Sequence, residues 1–255
     1  MAEFSHLVAE GYCEIVLTGI EIASYGGGAG ESYSLEELLK RMAQVPGAKG
    51  VRVRLGSLEP RIVTPSFAKT LSELPFICPQ FHLSLQAGCD ATLRRMNRHY
   101  DKARYLESVR LLRAAMPMAE LTTDIIVGFP GETEANFLES IDFVREVGFL
   151  KVHVFPYSRR PGTPAADMPN QISKAERDRR TAELTSAAEA VREERLKTII
   201  GNTLPVLLEA HKGDIWHGYT ATYMPVYAKG EGAHNTLVDI RLTGLQADGL
   251  AGFIL

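Results

Sequence analysis

Apolar and polar residues follow two rhythms along this chain, and the rhythms alternate. Period-two stretches such as Phe81-His82-Leu83-Ser84-Leu85-Gln86 read as strands, and stretches with helical spacing lie between them. Residues 4–10 read as the end of a helix stopped by Gly11, and residues 12–17 as a strand. A glycine-rich loop spans 19–30. Ser34 caps a helix over 35–44, with Glu37 completing a capping box. Strands follow at 51–55, 81–85, 121–127 and 150–155. Between them lie a helix from Thr64-Pro65 to near Leu74, a helical piece at 91–96, a helix capped by Asp101, and a helix over 134–147 closed by Gly148. Strands alternating with helices predict successive βα units with a parallel sheet or barrel.

A loop over 156–171 ends this region. Ser173 with Glu176 then caps a long helix, running to about residue 199, whose charges alternate in sign as on a solvated face or a connecting arm. After Gly201 the texture changes to short β-rich runs at 203–208, 219–227, 236–242 and 252–255. They predict a small all-β domain of barrel or OB-like type. The expected organisation is therefore 1–172, a connecting helix at 173–200, and the β domain at 201–255.

The strands themselves carry chemistry. In an α/β fold the side of a strand that packs on helices must be apolar. The other side, here Arg52 and Arg54, then His82, Ser84 and Gln86, then Asp124, then Lys151, His153, Phe155 and Tyr157, is expected to point inward. Sites of βα folds lie at the carboxyl ends of strands. There the sequence places Thr18-Gly19, Ser57-Leu58-Glu59-Pro60, Gln86-Ala87-Gly88, Gly128-Phe129-Pro130-Gly131 and Pro156-Tyr157-Ser158. A cationic segment, Arg94-Arg95-Met96-Asn97-Arg98-His99-Tyr100, follows one strand end, and Arg159-Arg160 follows another. Arginine forks at such a rim match phosphate or carboxylate.

Composition narrows the classes. The 255 residues are 45% hydrophobic and 23% charged, which excludes a disordered, collagenous or coiled-coil chain. With 28 Lys and Arg against 31 Asp and Glu the net charge is −3, so any nucleic-acid contact must be local. No apolar run is long enough to span a membrane. Cys13, Cys78 and Cys89 are scattered, which argues against a disulfide scaffold; Cys13 reads as strand core and Cys78 as structural. By spacing, neither these cysteines nor the seven histidines form a metal pair.

The stretches "EIVLTGIEIASYG", "RVRLGSLEP", "FHLSLQAGCDATLRRMNRHY", "TTDIIVGFPGETEANF" and "HVFPYSRRPGTPAADM" resemble the core of the radical S-adenosylmethionine methylthiotransferases. "LGSLEP" and "HVFPYSRRPGTPAA" are most similar to the branch acting on N6-threonylcarbamoyladenosine of tRNA. The tail, with "GYTATYMPVYAKGE" and "DGLAGFIL", resembles a TRAM domain, a small RNA-binding β barrel. The resemblance implies a partial (βα) radical-SAM barrel with five of six strands, followed by the TRAM barrel. It implies S-adenosylmethionine and 4Fe–4S clusters as cofactors, and 2-methylthiolation of the adenosine 3′ to the anticodon. The implied partner is the tRNA anticodon stem-loop, with neither DNA nor membrane, in the cytoplasm.

By motif, the resemblance puts S-adenosylmethionine against Thr18, Gly19, Ser57, Glu59, Ser84, Gln86, Val127 and Gly128. Arg98 is expected on the cofactor carboxylate or a tRNA phosphate, and Arg95, Tyr157 and Arg159 on the substrate side. The family's CxxxCxxC motif and its N-terminal cysteine domain do not occur in these residues. The expectation is a chain shortened at its N-terminus, inactive alone, with the remainder supplied upstream or as a separate chain. Other readings stay open: an RNA-binding protein without catalysis, the isopentenyladenosine branch, or another βα-barrel enzyme using Glu59 or Asp124 as acid–base group. In the tail, Tyr219, Tyr223 and Tyr227 read as a stacking platform for RNA or as cross-strand packing.

Overall fold

Polar caps and glycines end most helices where the sequence predicts. The structure, a computed structural model, describes residues 1–19, 22–26 and 34–255, so much of the glycine-rich loop lies outside the described residues. Helix α1 (Ala2–Ala9) is followed by Gly11, whose φ of 83° lies in the left-handed region that favours glycine. After strand β1 (Glu14–Leu17), helix α2 (Leu35–Met42) starts where the Ser34 hydroxyl accepts the Glu37 N–H. Strand β2 (Arg52–Leu55) leads to α3 (Pro65–Glu73), capped by Thr64. Then come β3 (Gln80–His82), α4 (Asp90–Arg95) and α5 (Lys102–Ala115), the last capped by Asp101. Strand β4 (Glu120–Val127), α6 (Glu134–Val147) and β5 (Lys151–Pro156) follow, with Gly148 left-handed at the end of α6.

The five strands form one parallel arc. β1 pairs with β2, and β3, β4 and β5 pair in that order. Single bridges at Val53–Ile77 and Leu58–Leu83 join β2 and its following loop to the β3 side. The odd-numbered residues of β3 and β4 turn outward onto the helices. Phe81, Leu83, Leu121 and Ile125 join Phe67, Leu71, Tyr105, Phe137 and Phe143 in the main core. The even-numbered residues Gln80, His82, Thr122 and Asp124 bond one another across the concave face. The expected inward polar face is therefore present on these strands.

Four local expectations need correction. The strand expected at 81–85 is regular only over Gln80–His82. The buried Thr123 hydroxyl accepts the Leu85 N–H (2.9 Å) and donates to Leu83 O (2.7 Å), so a side chain takes over part of the ladder. The 156–171 loop contains a helical turn, α7 (Pro164–Asp167). In helix α8 (Lys174–Lys197) Ser173 accepts the Glu176 N–H, but the Glu176 carboxylate turns to Arg179 and Arg180 (2.7 Å each). A reciprocal capping box forms instead at Thr133 and Asn136. Helix α8 is also not solvated all round. Leu184 and Ala188 enter the main core, and buried Arg180 bonds buried Glu132 at 2.8 Å.

The last region is a closed barrel in the order β10-β8-β7-β6-β9, made of β6 (Thr203–Lys212), β7 (Ile215–Thr220), β8 (Pro225–Lys229), β9 (Thr236–Gln246) and β10 (Gly249–Ile254). The run expected at 219–227 is two strands. A turn at 220–224 separates them, with Tyr223 at φ 64° and a Thr220–Thr222 hydroxyl bond of 2.9 Å. Val206, Leu208, Val226, Ile240 and Leu250 fill the barrel, and Leu150, Leu196 and Ile199 join that core from outside it. Among the described residues no helix is long and apolar enough to cross a membrane.

The two lobes meet at the amino-terminal ends of the parallel strands. Arg52 donates to Pro205 O (2.8 Å) and Tyr219 O (3.1 Å). Arg54 donates to Ala221 O (3.0 Å), to both Glu14 carboxylate oxygens (3.0 Å each) and to Gln80 Oε1 (3.2 Å), and its guanidinium lies 4.4 Å from the centre of the Tyr223 ring. Cys13 is not strand core. Its Sγ donates to Asn235 O at 3.1 Å across the lobe contact. Arg54→Met should strand the largely buried Glu14 carboxylate and cost about 3 kcal/mol, at the lower end for a buried pair. Calorimetry should show a lowered Tm that Glu14→Gln in the same chain largely restores, whereas an unchanged Tm in the single variant would show that the clamp carries no stability.

Candidate functional site

At the carboxyl ends of the strands the expected residues form a continuous row. Gly56 N donates to Leu17 O (2.8 Å) and a Cβ there would lie 3.6 Å from Thr18 Cα, so the ends of β1 and β2 touch. Beside them the Ser57 and Ser84 hydroxyls bond each other at 2.8 Å. Gln86 takes φ 70° and its backbone bridges to Ile125 on β4. At the far end Tyr157 N donates to Val127 O at 2.8 Å. Thr18, Ser57, Ser84, Gln86, Val127 and Tyr157 thus lie along one rim. Tyr100 stiffens it, its single O–H proton shared between Ser84 O (3.0 Å) and Leu85 O (3.1 Å), and burial pushes its phenol up to about 12.

The rim is built as much by shape as by free polar groups. Gly128 N already donates to Glu132 Oε2 (2.6 Å), so that amide is occupied. Gly128 has φ 71°, and a Cβ there would stand 2.4 Å from Arg177 Cγ, so glycine is required. Glu132 in turn is held by Arg180, while burial pushes its carboxyl up. Glu59 is paired to Arg61 at 3.0 Å. Tyr157 does not follow the exposed face of Lys151, His153 and Phe155. It is buried edge-on against Phe129 (5.3 Å), with its hydroxyl unpartnered.

The arginines divide by role. Arg104 is structural: it donates to Val63 O at 2.9 Å. Arg95 lies over the Gly131 turn, 3.2 Å from where a Cβ would stand, and reaches Asn136 Oδ1 at 3.5 Å. Arg98 lines two hollows. One, of about 320 Å³, includes Arg95, Ile126, Phe129 and Met168; the other, of about 430 Å³, includes Arg61, Arg94, His99 and Arg104. Arg159 and Arg160 are exposed just past β5. The second hollow is lined mainly by arginines, with Tyr100 and Asp101 beside them.

Spacing shows no metal pair, yet the fold brings His82, Asp124 and His153 together, their ligand atoms all within 4.8 Å of one another. The His82 hydrogen bond holds the Asp124 carboxyl below its ordinary range, and burial pushes the His153 imidazole down. The residues are far apart in sequence, and the available signal was the inward alternation on three neighbouring strands. The tail tyrosines do not form an open row. Tyr219 and Tyr223 stack on each other at 4.7 Å, and the Tyr227 hydroxyl donates to Asp248 (2.7 Å).

The fold is that of known radical S-adenosylmethionine enzymes. Coproporphyrinogen III oxidase from Escherichia coli superposes with a TM-score of 0.50 at 15% identity, over 78% of this chain and 45% of that one. A radical S-adenosylmethionine methyltransferase from Kitasatospora setae gives 0.52 at 17%, over 65% and 32%. The Radical SAM superfamily model matches residues 6–144, and the chain belongs to that superfamily. Among curated relatives, a tRNA-2-methylthio-N(6)-dimethylallyladenosine synthase of Streptomyces griseus is 40% identical over 84% of this chain and 42% of its own length. Threonylcarbamoyladenosine tRNA methylthiotransferases of Chlamydia pneumoniae and Thermotoga maritima are 35% and 38% identical over 100% and 97% of this chain, and 60% and 56% of theirs. The chain therefore spans about half the length of the curated relatives it matches.

An iron–sulfur cluster is held by a set of thiolates. The three cysteines here do not fit one. Cys13 lies at the lobe contact, Cys78 is buried beside β2, and Cys89 is buried at the start of α4. Burial also pushes the Cys78 thiol up to about 11 and raises that of Cys89. At pH 8 the native chain should react promptly with Ellman's reagent at Cys13 only. Cys78 is then about one part in a thousand thiolate, and three fast equivalents would contradict this arrangement.

Proposed function

We propose that this chain is the barrel-and-tail portion of a tRNA 2-methylthiotransferase acting on N6-threonylcarbamoyladenosine 3′ to the anticodon. One observation carries the choice of branch. Relatives named for threonylcarbamoyladenosine align over 97% and 100% of the chain, β lobe included, whereas the dimethylallyladenosine relative aligns over 84%. The strand-end row suits a nucleoside cofactor. Thr18, Gly19, Ser57, Glu59, Ser84 and Gln86 would line the S-adenosylmethionine site, with the Val127-Gly128 backbone as its wall. Arg98 would meet the cofactor carboxylate or a tRNA phosphate, since it lines both hollows. Arg95 and Arg159 would face the modified base and its flanking phosphates, with Tyr157, buried against Phe129, backing that side of the rim.

These 255 residues contain no CxxxCxxC, so they do not ligate the family's cluster in the family's way. The isolated chain is therefore expected to bind RNA without turnover. In filter binding, a stem-loop carrying threonylcarbamoyladenosine should bind more tightly than one carrying dimethylallyladenosine. Affinity should fall with salt, and Arg95→Ala and Arg98→Ala should each reduce the salt slope by about one. No binding at low salt would overturn the RNA reading, and equal binding of both stem-loops would overturn the branch. A stoichiometric 4Fe–4S content after anaerobic reconstitution would overturn the statement about ligands.

A further inference from the structure

The floor of the concave face holds a donor set unlike anything at the rim. His82 is on β3, Asp124 on β4 and His153 on β5, three neighbouring parallel strands. The ladder places His82 opposite Thr122, and Asp124 opposite His153. His82 Nε2 lies 3.4 Å from Asp124 Oδ2, and the two imidazole rings are 6.2 Å apart, inclined at 41°. Two imidazoles and one carboxylate converge from separate strands with ligand atoms within 4.8 Å. From these observations we infer that His82, Asp124 and His153 form a binding site for a borderline divalent cation of the zinc, cobalt or ferrous class.

The geometry is close to what such an ion needs. Metal–nitrogen and metal–oxygen bonds of about 2.0–2.2 Å put tetrahedral neighbours roughly 3.4 Å apart, which is the spacing His82 and Asp124 already have. His153 is the exposed member, so its side chain has room to close the remaining distance. The set of nitrogen and oxygen donors also differs from the thiolates that an iron–sulfur cluster requires, so this site is distinct from the family's cluster.

A supporting hydrogen-bond chain orients the first ligand. Arg54 can only donate, so Gln80 accepts with Oε1 (3.2 Å) and must donate with Nε2 to Thr122 Oγ1 (3.0 Å). Thr122 Oγ1 keeps a lone pair for His82 Nδ1, 3.1 Å away. With an ion bound, His82 can give Nδ1–H to Thr122 and turn its Nε2 lone pair to the ion in place of the hydrogen bond it makes to Asp124. This is the arrangement that fixes tautomer and ring in metal-bound histidines. The cations around this cavity are paired elsewhere: Lys151 with Glu189 (3.0 Å), Arg54 with Glu14 (3.0 Å) and Arg192 with Glu189 (3.6 Å). The open side of the site faces a cavity of about 370 Å³ between the lobes, where His82, Thr122 and His153 face Tyr219 and Tyr223. That leaves a coordination position for water or a small ligand.

The test uses the whole 255-residue chain, stripped with a chelator and titrated with Co(II). One equivalent should bind, with ligand-field absorbance that Zn(II) abolishes by competition. His153→Ala, at an exposed position, and the isosteric Asp124→Asn should each weaken binding at least about tenfold. His217→Ala, in the β barrel, should leave it unchanged. The absence of saturable binding would overturn the site and leave a hydrogen-bonded lumen only. Affinity unaffected by His153→Ala, or a sulfur-to-cobalt charge-transfer band, would equally overturn it by placing the metal elsewhere.

Discussion

One buried cation organises this molecule. Arg54 sits on the concave side of β2, 4% exposed, where an uncompensated charge would be very costly. It is satisfied from three directions: Glu14 on β1 takes two donors, Gln80 on β3 takes one, and the Ala221 carbonyl of the β barrel takes another, with Tyr223 over the guanidinium face. Only a planar fork with several donors in fixed directions can serve three partners at once. The same residue thus spaces three strands, docks the second lobe and, through Gln80 and Thr122, orients His82.

The strands therefore have two chemically different ends. Their amino-terminal ends are closed by the β barrel, and Arg52, Arg54 and Cys13 make the contacts. Among the described residues, their carboxyl ends carry the serine pair, Gln86 and the arginine-lined hollows. Between them the concave face is polar because the convex face is not. Most apolar residues of β3 and β4 face the helices, and a period of two leaves Gln80, His82, Thr122 and Asp124 inward, while Val16 and Phe155 are exposed apolar exceptions on β1 and β5. Helix α8 completes the outer wall, with Arg180 tying it to Glu132 and so to the Gly128 turn.

Much of the local structure was legible. Ser34, Thr64, Asp101 and Ser173 each accept the backbone N–H three residues on, as their positions in the sequence predict. Gly148 ends α6 in a left-handed conformation for the same local reason. What was not legible depended on a distant partner. Residues 81–85 alternate like a strand, but Thr123, some forty positions away, supplies the hydroxyl that interrupts the ladder. Glu176 is placed to complete a capping box, but two arginines outcompete the backbone for its carboxylate. Tyr157 shares the period of His153, yet packing against Phe129 buries it.

By itself the sequence determined the alternation of strands and helices, the inward polar face, the helix starts and the all-β tail. Each of these rests on periodicity or on hydrogen bonds within a few residues. The tertiary structure alone decided which strands are neighbours, and hence that His82, Asp124 and His153 converge and that Ser57 meets Ser84. It alone decided that the tail docks beneath the barrel arc, joining Cys13 to Asn235 across 222 positions. Register and docking come from long-range packing and from the need to satisfy buried charge, and neither leaves a local periodic trace.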